Sequence, residues 1–151
     1  MLNYKKIRKE ILKRYEKGEK LGFCVEASGL YIVLYDGCAV RLPFDQNPFK
    51  ENEWEELPGI ANLHADMTQK LRGQPVNRLV TGPDDMYHMI RADDRSMNSW
   101  YKQTVFSLLD SKEDYDFYVD PESKVLWITS EPAHQIEIVC AAVYVQGDEK
   151  E

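Results

Sequence analysis

The residue types best suited to chemistry sit late in the chain. Glu122-x-Lys124 follows Asp116 and Asp120. Two carboxylates holding a divalent metal, with a lysine near the attacking water, are the parts of a small metal-dependent nuclease or hydrolase. The same residues lie in "DPESK", where Asp-Pro is ordinary turn chemistry. The turn is the simpler reading, and the nuclease is carried as a rival. The histidines offer less. His64 and Asp66 are two apart on an expected helix and share no face there. Asp85 and His88 have i, i+3 spacing, which is common by chance. The sequence contains no HExxH, Cys/His cluster, nucleophile elbow or glycine-rich phosphate loop. The expectation is a protein without catalytic residues, metal or cofactor.

Charge is distributed unevenly. Residues 1–20 hold eight of the nineteen Lys/Arg and three of the twenty-six Asp/Glu, a net of +5; the rest carries −12. The acids cluster twice. Asp45, Glu51, Glu53, Glu55 and Glu56 form one group, and Asp110, Glu113, Asp114, Asp116, Asp120 and Glu122 the other. If 51–55 is extended, Glu51, Glu53 and Glu55 line one side at intervals of about 6.6 Å, imitating a phosphate backbone. Phe49 and Trp54 stand beside them as apolar anchors.

The basic opening reads as a helix over 3–17. Asn3 caps it, Tyr4, Ile7, Ile11 and Tyr15 make an apolar stripe, and Gly18 stops it. Its other faces carry Lys5, Lys6, Arg8, Lys9, Lys13, Arg14 and Lys17. The simplest use of these cations is a solvated face that partly compensates neighbouring acids. Phosphate binding is the sharper alternative, and a membrane-surface helix is disfavoured by so short a stripe.

The remaining elements follow from pattern. "LGFCVEASGLYIVLYDGCAVRLPF" reads as a three-stranded meander with its second turn at Asp36-Gly37. That turn places Tyr35 opposite Cys38, Val33 opposite Val40 and Tyr31 opposite Leu42. The first turn, Ala27-Ser28-Gly29, pairs Glu26 with Leu30 and puts Cys24 and Cys38 on opposite faces. Ile60, Leu63, Met67 and Leu71 predict a helix over 60–72. Met86, Met89 and Ile90, then Met97, Trp100, Tyr101, Val105 and Leu108, predict helices from 83 to 109, bent at "RADDR". "YDFYV", "KVLWIT" and "QIEIVCAAVYV" form a second meander. Cys24, Cys38 and Cys140 are expected as reduced core thiols. The expected fold is α+β: two three-stranded antiparallel meanders, in one or two sheets, flanked by an N-terminal helix and a central helical segment. Residues 1–146 form a single domain and 147–151 a frayed acidic tail.

No apolar run is long enough to span a bilayer, and no secretory leader is visible. The cytoplasm is therefore the default location. The leading functional expectation is a small acidic inhibitor that docks on a basic protein, possibly in the groove of a nucleic-acid-processing enzyme, of the anti-restriction, anti-CRISPR or immunity type. Its partner-binding residues are Phe49, Glu51, Glu53, Trp54, Glu55, Glu56, Asp114, Asp116, Asp120 and Glu122. Direct nucleic-acid binding through the first helix, a metal-dependent nuclease, and a self-associating phage or mobile-element protein, such as a homodimer, are the rivals.

Overall fold

Asn3 starts the first helix by accepting the Lys6 N–H on its side-chain oxygen at 3.2 Å, which satisfies one orphan donor of the first turn. The helix, α1 (Tyr4–Glu16), buries Tyr4, Ile7 and Ile11. Gly18, at φ +76°, ends it by donating to Tyr15 O. The computed structural model describes residues 1–47 and 54–145.

Ten strands follow among the described residues: β1 (Gly22–Glu26), β2 (Gly29–Tyr35), β3 (Cys38–Leu42), β4 (Glu55–Glu56), β5 (Leu71–Thr81), β6 (Met86–Ala92), β7 (Asn98–Lys102), β8 (Asp114–Val119), β9 (Leu126–Glu131) and β10 (Gln135–Cys140). A short helix, α2 (Gln103–Phe106), continues directly from β7. All ten strands form one sheet, in the order β4-β1-β2-β3-β10-β9-β8-β5-β6-β7. The β1–β4 pair is parallel and the others are antiparallel.

This overturns the expected pair of meanders around a central helical segment. The three strands of each meander are present. They are joined through β3 and β10 and extended by β5, β6 and β7, where helices were expected. "RADDR" is the tight turn between β6 and β7, with Arg95 at φ +61° and Ala92 N–H donating to Met97 O. Residues 61–64 form turns, a single 3-10 turn spans Met67–Gln69, and β5 begins at Leu71. Pro75 lies just beyond the three residues of β5 that pair with β8, where an absent N–H breaks no ladder on that side.

Alternation along the strands sorts the core into two faces. Leu30, Ile32, Leu34, Cys38, Val40, Phe117, Val119, Leu126, Ile128 and Ile138 pack around α1 and α2 on the inner face. Tyr31, Trp127 and Val139 lie on the outer face, under Leu63 with Ile60 and Met67. The sheet curls enough for β7 to meet the chain beyond β10, where Val143 N–H donates to Trp100 O at 2.8 Å. Tyr87, Met89 and Trp100 form a small third cluster there.

The register of the first meander differs in detail from expectation. Tyr35 pairs with Cys38 as expected, but Val33 pairs with Ala39 and Tyr31 with Arg41, because the ladder slips between Val33 and Tyr35. A bulge of this kind moves one residue out of alternation. The first turn is a two-residue Ala27-Ser28, with Glu26 opposite Gly29 rather than Leu30. Cys24 therefore shares Tyr31's face, opposite to Cys38, and the expected separation of the two thiols stands with its sides exchanged.

One charged pair lies within this core. Glu137 is fully buried and accepts a 2.8 Å hydrogen bond from Arg41 Nε; Arg41 also donates to Ser28 O at 2.7 Å. The other Glu137 oxygen has no hydrogen-bond partner and lies 3.8 Å from the Met1 amino group. Burial first, and then the Glu137 carboxylate, push the Tyr4 hydroxyl above the ordinary tyrosine range.

Candidate interaction surfaces

The first acidic cluster is reshaped by the strand it joins. Trp54, expected as an exposed anchor, is 7% exposed and packs edge-on against Phe23 with ring centroids 5.8 Å apart. It packs into the sheet edge and leaves little surface exposed. Glu55 and Glu56 form β4, the outermost strand, and both are exposed. Backbone bonds from Glu55 N–H to Leu21 O and from Leu57 N–H to Phe23 O hold that edge. Phe49, Glu51 and Glu53 lie outside the described residues.

In the second cluster, half of the expected binding residues already have partners. Asp116 is 2.7 Å from Arg72. Asp120 is 2.7 Å from Lys70 Nζ, and its other oxygen accepts the Ser123 N–H, the Ser123 hydroxyl and the Glu122 N–H. Asp120 is thus the cap of the β8–β9 turn. Asp114 and Glu122 are exposed, and Asp114 sits directly across from Glu131 on the neighbouring strand. β4 and β8 are six places apart in the strand order, roughly 29 Å along a flat sheet. Among the described acids, Glu55 and Glu56 therefore lie on a strand far from β8 in the sheet order.

Asp120 has a measurable signature. Lys70 first, then the Ser123 donors, hold its carboxyl well below the ordinary aspartate range. A carboxyl lowered in the folded state adds stability above its unfolded value, about pH 3.9, and loses that contribution as pH falls through the folded value. Thermal melts from pH 6 down to pH 2 should show wild type losing more stability below about pH 4 than Asp120→Asn, which starts lower. Parallel curves for the two proteins would contradict this role.

The residues of the catalytic rival lie in the same turn. Lys124 adopts φ +62°, donates its N–H to Asp120 O and accepts the Tyr101 hydroxyl on its carbonyl. Both Asp120 oxygens are filled by protein donors. Among the described residues, no group of three His, Cys, Asp or Glu is placed to hold a metal ion.

The histidines serve as hydrogen-bonding groups. His64 lies in a turn-rich loop, not on a helix, with Nε2 2.8 Å from Glu26 Oε1. His88 has Nδ1 2.8 Å from Gln103 Oε1 and Nε2 2.8 Å from Val76 O. Asp85 accepts from the Thr104 N–H and hydroxyl at the start of α2. Asp85 and His88 therefore have separate partners.

The basic face of α1 shows the opposite behaviour. Lys5, Lys9, Lys13 and Lys17 are exposed and recur every fourth residue. Twelve residues of helix carry that row over about 18 Å. None of the four makes an ion pair or side-chain hydrogen bond with another described residue. Arg14 is the cation of this helix that compensates acids, at 3.0 Å from Glu10 and 3.5 Å from Glu19. Lys6 reaches Ser107 O, and Arg8 donates to Gln46. Acidic compensation of the opening segment is thus limited to Arg14 among these pairs.

Two features were not singled out from the sequence. The Arg41–Glu137 pair was signalled by one charged residue in each of two apolar runs, "CAVRL" and "QIEIVC". The freedom of the lysine row depended on where Glu10 and Glu19 pointed, which periodicity alone does not state. Among the described residues, no helix is long and apolar enough to cross a membrane. No protein-family model, curated protein or solved structure matches this chain.

Proposed function

We propose that this chain is a binding protein whose working surface is the outer face of α1, and that it takes a polyanion, most simply the phosphate backbone of a nucleic acid. The observation that carries this reading is the exposed row of Lys5, Lys9, Lys13 and Lys17, none of which makes an ion pair with another described residue. Lysines left without protein partners keep their counterions exchangeable, and phosphate contacts gain their affinity from releasing condensed cations. The acidic body acts in the same direction. Residues 21–151 carry a net −12, and that charge favours an approach of the polyanion from the helix side.

Fluorescence anisotropy with a labelled duplex at 50 mM salt tests this. Wild type should bind, and Lys9→Glu/Lys13→Glu should weaken binding about 100-fold, because two contacts become two repulsions. Equal binding by the two proteins, or none by wild type to duplex or single strand, would sink the reading.

A second reading keeps the acidic surface as the working one. Glu55 and Glu56 are exposed on the outermost strand and make no ion pair with another described residue, and the chain is −7 overall. That edge suits docking on a basic protein, including a nucleic-acid-processing enzyme that the chain would inhibit, with charge supplying steering and salt dependence. Here Glu55→Lys/Glu56→Lys should release a salt-labile partner in a pull-down while Lys9→Glu/Lys13→Glu retains it. The reverse pattern favours the helix.

A further inference from the structure

Cys38 and Cys140 face one another across the β3–β10 pair. The next residues outward, Gly37 and Ala141, are joined by a 2.8 Å hydrogen bond from Ala141 N–H to Gly37 O. In an antiparallel ladder that makes Cys38–Cys140 a non-hydrogen-bonded pair, where Cα atoms approach to about 4.5 Å and side chains lie closest. Disulfides span Cα separations of about 4.4–6.8 Å. Both thiols are free, and both lie on the inner face. They line a cavity of about 360 Å³ with Tyr35, Lys102, Val105 and Val143, and its rim residues Asp36, Gly37 and Ala141 are exposed. Cys24 lies on the other face, beside Tyr31.

We propose that Cys38 and Cys140 form a disulfide by exchange with a low-molecular-weight disulfide, and that this bond staples the seam of the sheet. The strand order makes the seam specific. β4, β1, β2 and β3 join the other six strands through the β3–β10 ladder, which has three residue pairs. The chemistry balances as two exchanges. One protein thiol loses its proton to solvent and attacks a sulfur of RS–SR; that S–S bond breaks, and RS⁻ leaves to be protonated. The second protein thiolate attacks the protein-side sulfur of the mixed disulfide and expels the second RS⁻. Two protein thiols are oxidised, and RS–SR is reduced to two RSH.

The hydrogen bond with Cys140, together with burial, pushes the Cys38 thiol well above the ordinary cysteine range. Thiolate is therefore scarce, and the exchange is slow, on the order of hours. The loop closed by the bond spans about 100 residues, a length at which a cross-link strongly restricts the unfolded chain.

The test is overnight incubation of the full chain with oxidised glutathione, read by intact mass, non-reducing peptide mapping and thermal melting. The expected product has lost two hydrogens, links the Cys38 and Cys140 peptides, and leaves Cys24 to react with an alkylating agent after denaturation. Its Tm should rise by about 10 °C and fall again with dithiothreitol, and Cys24→Ser should behave in the same way. Glutathione adducts without a cross-link, a link through Cys24, or three unmodified thiols would overturn the site. A Cys38–Cys140 bond with an unchanged Tm would overturn the staple.

Discussion

Arg41→Met should destabilise the fold by about 3–5 kcal/mol, read from urea unfolding. Removing the guanidinium leaves Glu137 buried without its 2.8 Å partner, and its second oxygen already lacks a hydrogen bond. The cost is large because a lone buried carboxylate keeps its full desolvation penalty. The pair itself is worth much less than its disruption. Arg41→Met/Glu137→Leu should therefore recover most of the loss, since buried ion pairs replaced by apolar groups of similar volume are often neutral. A double variant no more stable than the single one would show that Arg41 acts through Ser28 O and Tyr4 rather than through Glu137.

The second large effect lies on the outer face. Trp127 is 1% exposed, and its indole N–H donates to Asn62 O at 2.8 Å. Around it pack Tyr31, Leu63 and Val139, with Ile60 and Met67 from the chain that crosses that face. Trp127→Ala should cost about 3–5 kcal/mol. It should also raise hydrogen exchange at residues 58–70, because that segment has little regular structure of its own. Trp127→Phe keeps most of the packing and leaves the Asn62 carbonyl without its donor, so its cost should be about 1 kcal/mol. Equal losses for Ala and Phe would mean that the hydrogen bond, and not the packing, holds the segment.

That segment also explains how the helical reading of 60–72 arose. Ile60, Leu63 and Met67 recur at steps of three and four because successive turns, including the 3-10 turn, return one side to the sheet. The helical reading of 83–109 failed for a related reason. β6 is covered on both faces, with Met89 in one cluster and Ile90 in another, so its apolar residues do not alternate. Within that stretch, the four residues of α2 are helical and bury Val105, whereas Tyr101 lies on β7 and Leu108 follows the helix.

α1 and the Asp36-Gly37 turn were legible because cap, stripe and turn chemistry are local. The one-residue slip in β2 was not, because the Asp36-Gly37 turn chemistry does not specify it. The acids of 110–122 were visible as composition, but their partners were hidden. Lys70 and Arg72 reach Asp120 and Asp116 because β5 pairs with β8, and a helix over 60–72 places both cations on the wrong element. The cations of α1 were visible in the sequence, and the structure adds that Lys5, Lys9, Lys13 and Lys17 make no ion pair with another described residue.

The salt dependence of nucleic-acid binding tests the central claim most directly. Four phosphate contacts predict that log K falls with log salt at a slope of about −3.6 on duplex DNA, and that Lys9→Glu/Lys13→Glu reduces the slope to about half or less. A slope near zero, or one that the two substitutions leave unchanged, would contradict the assignment of α1 as the working surface.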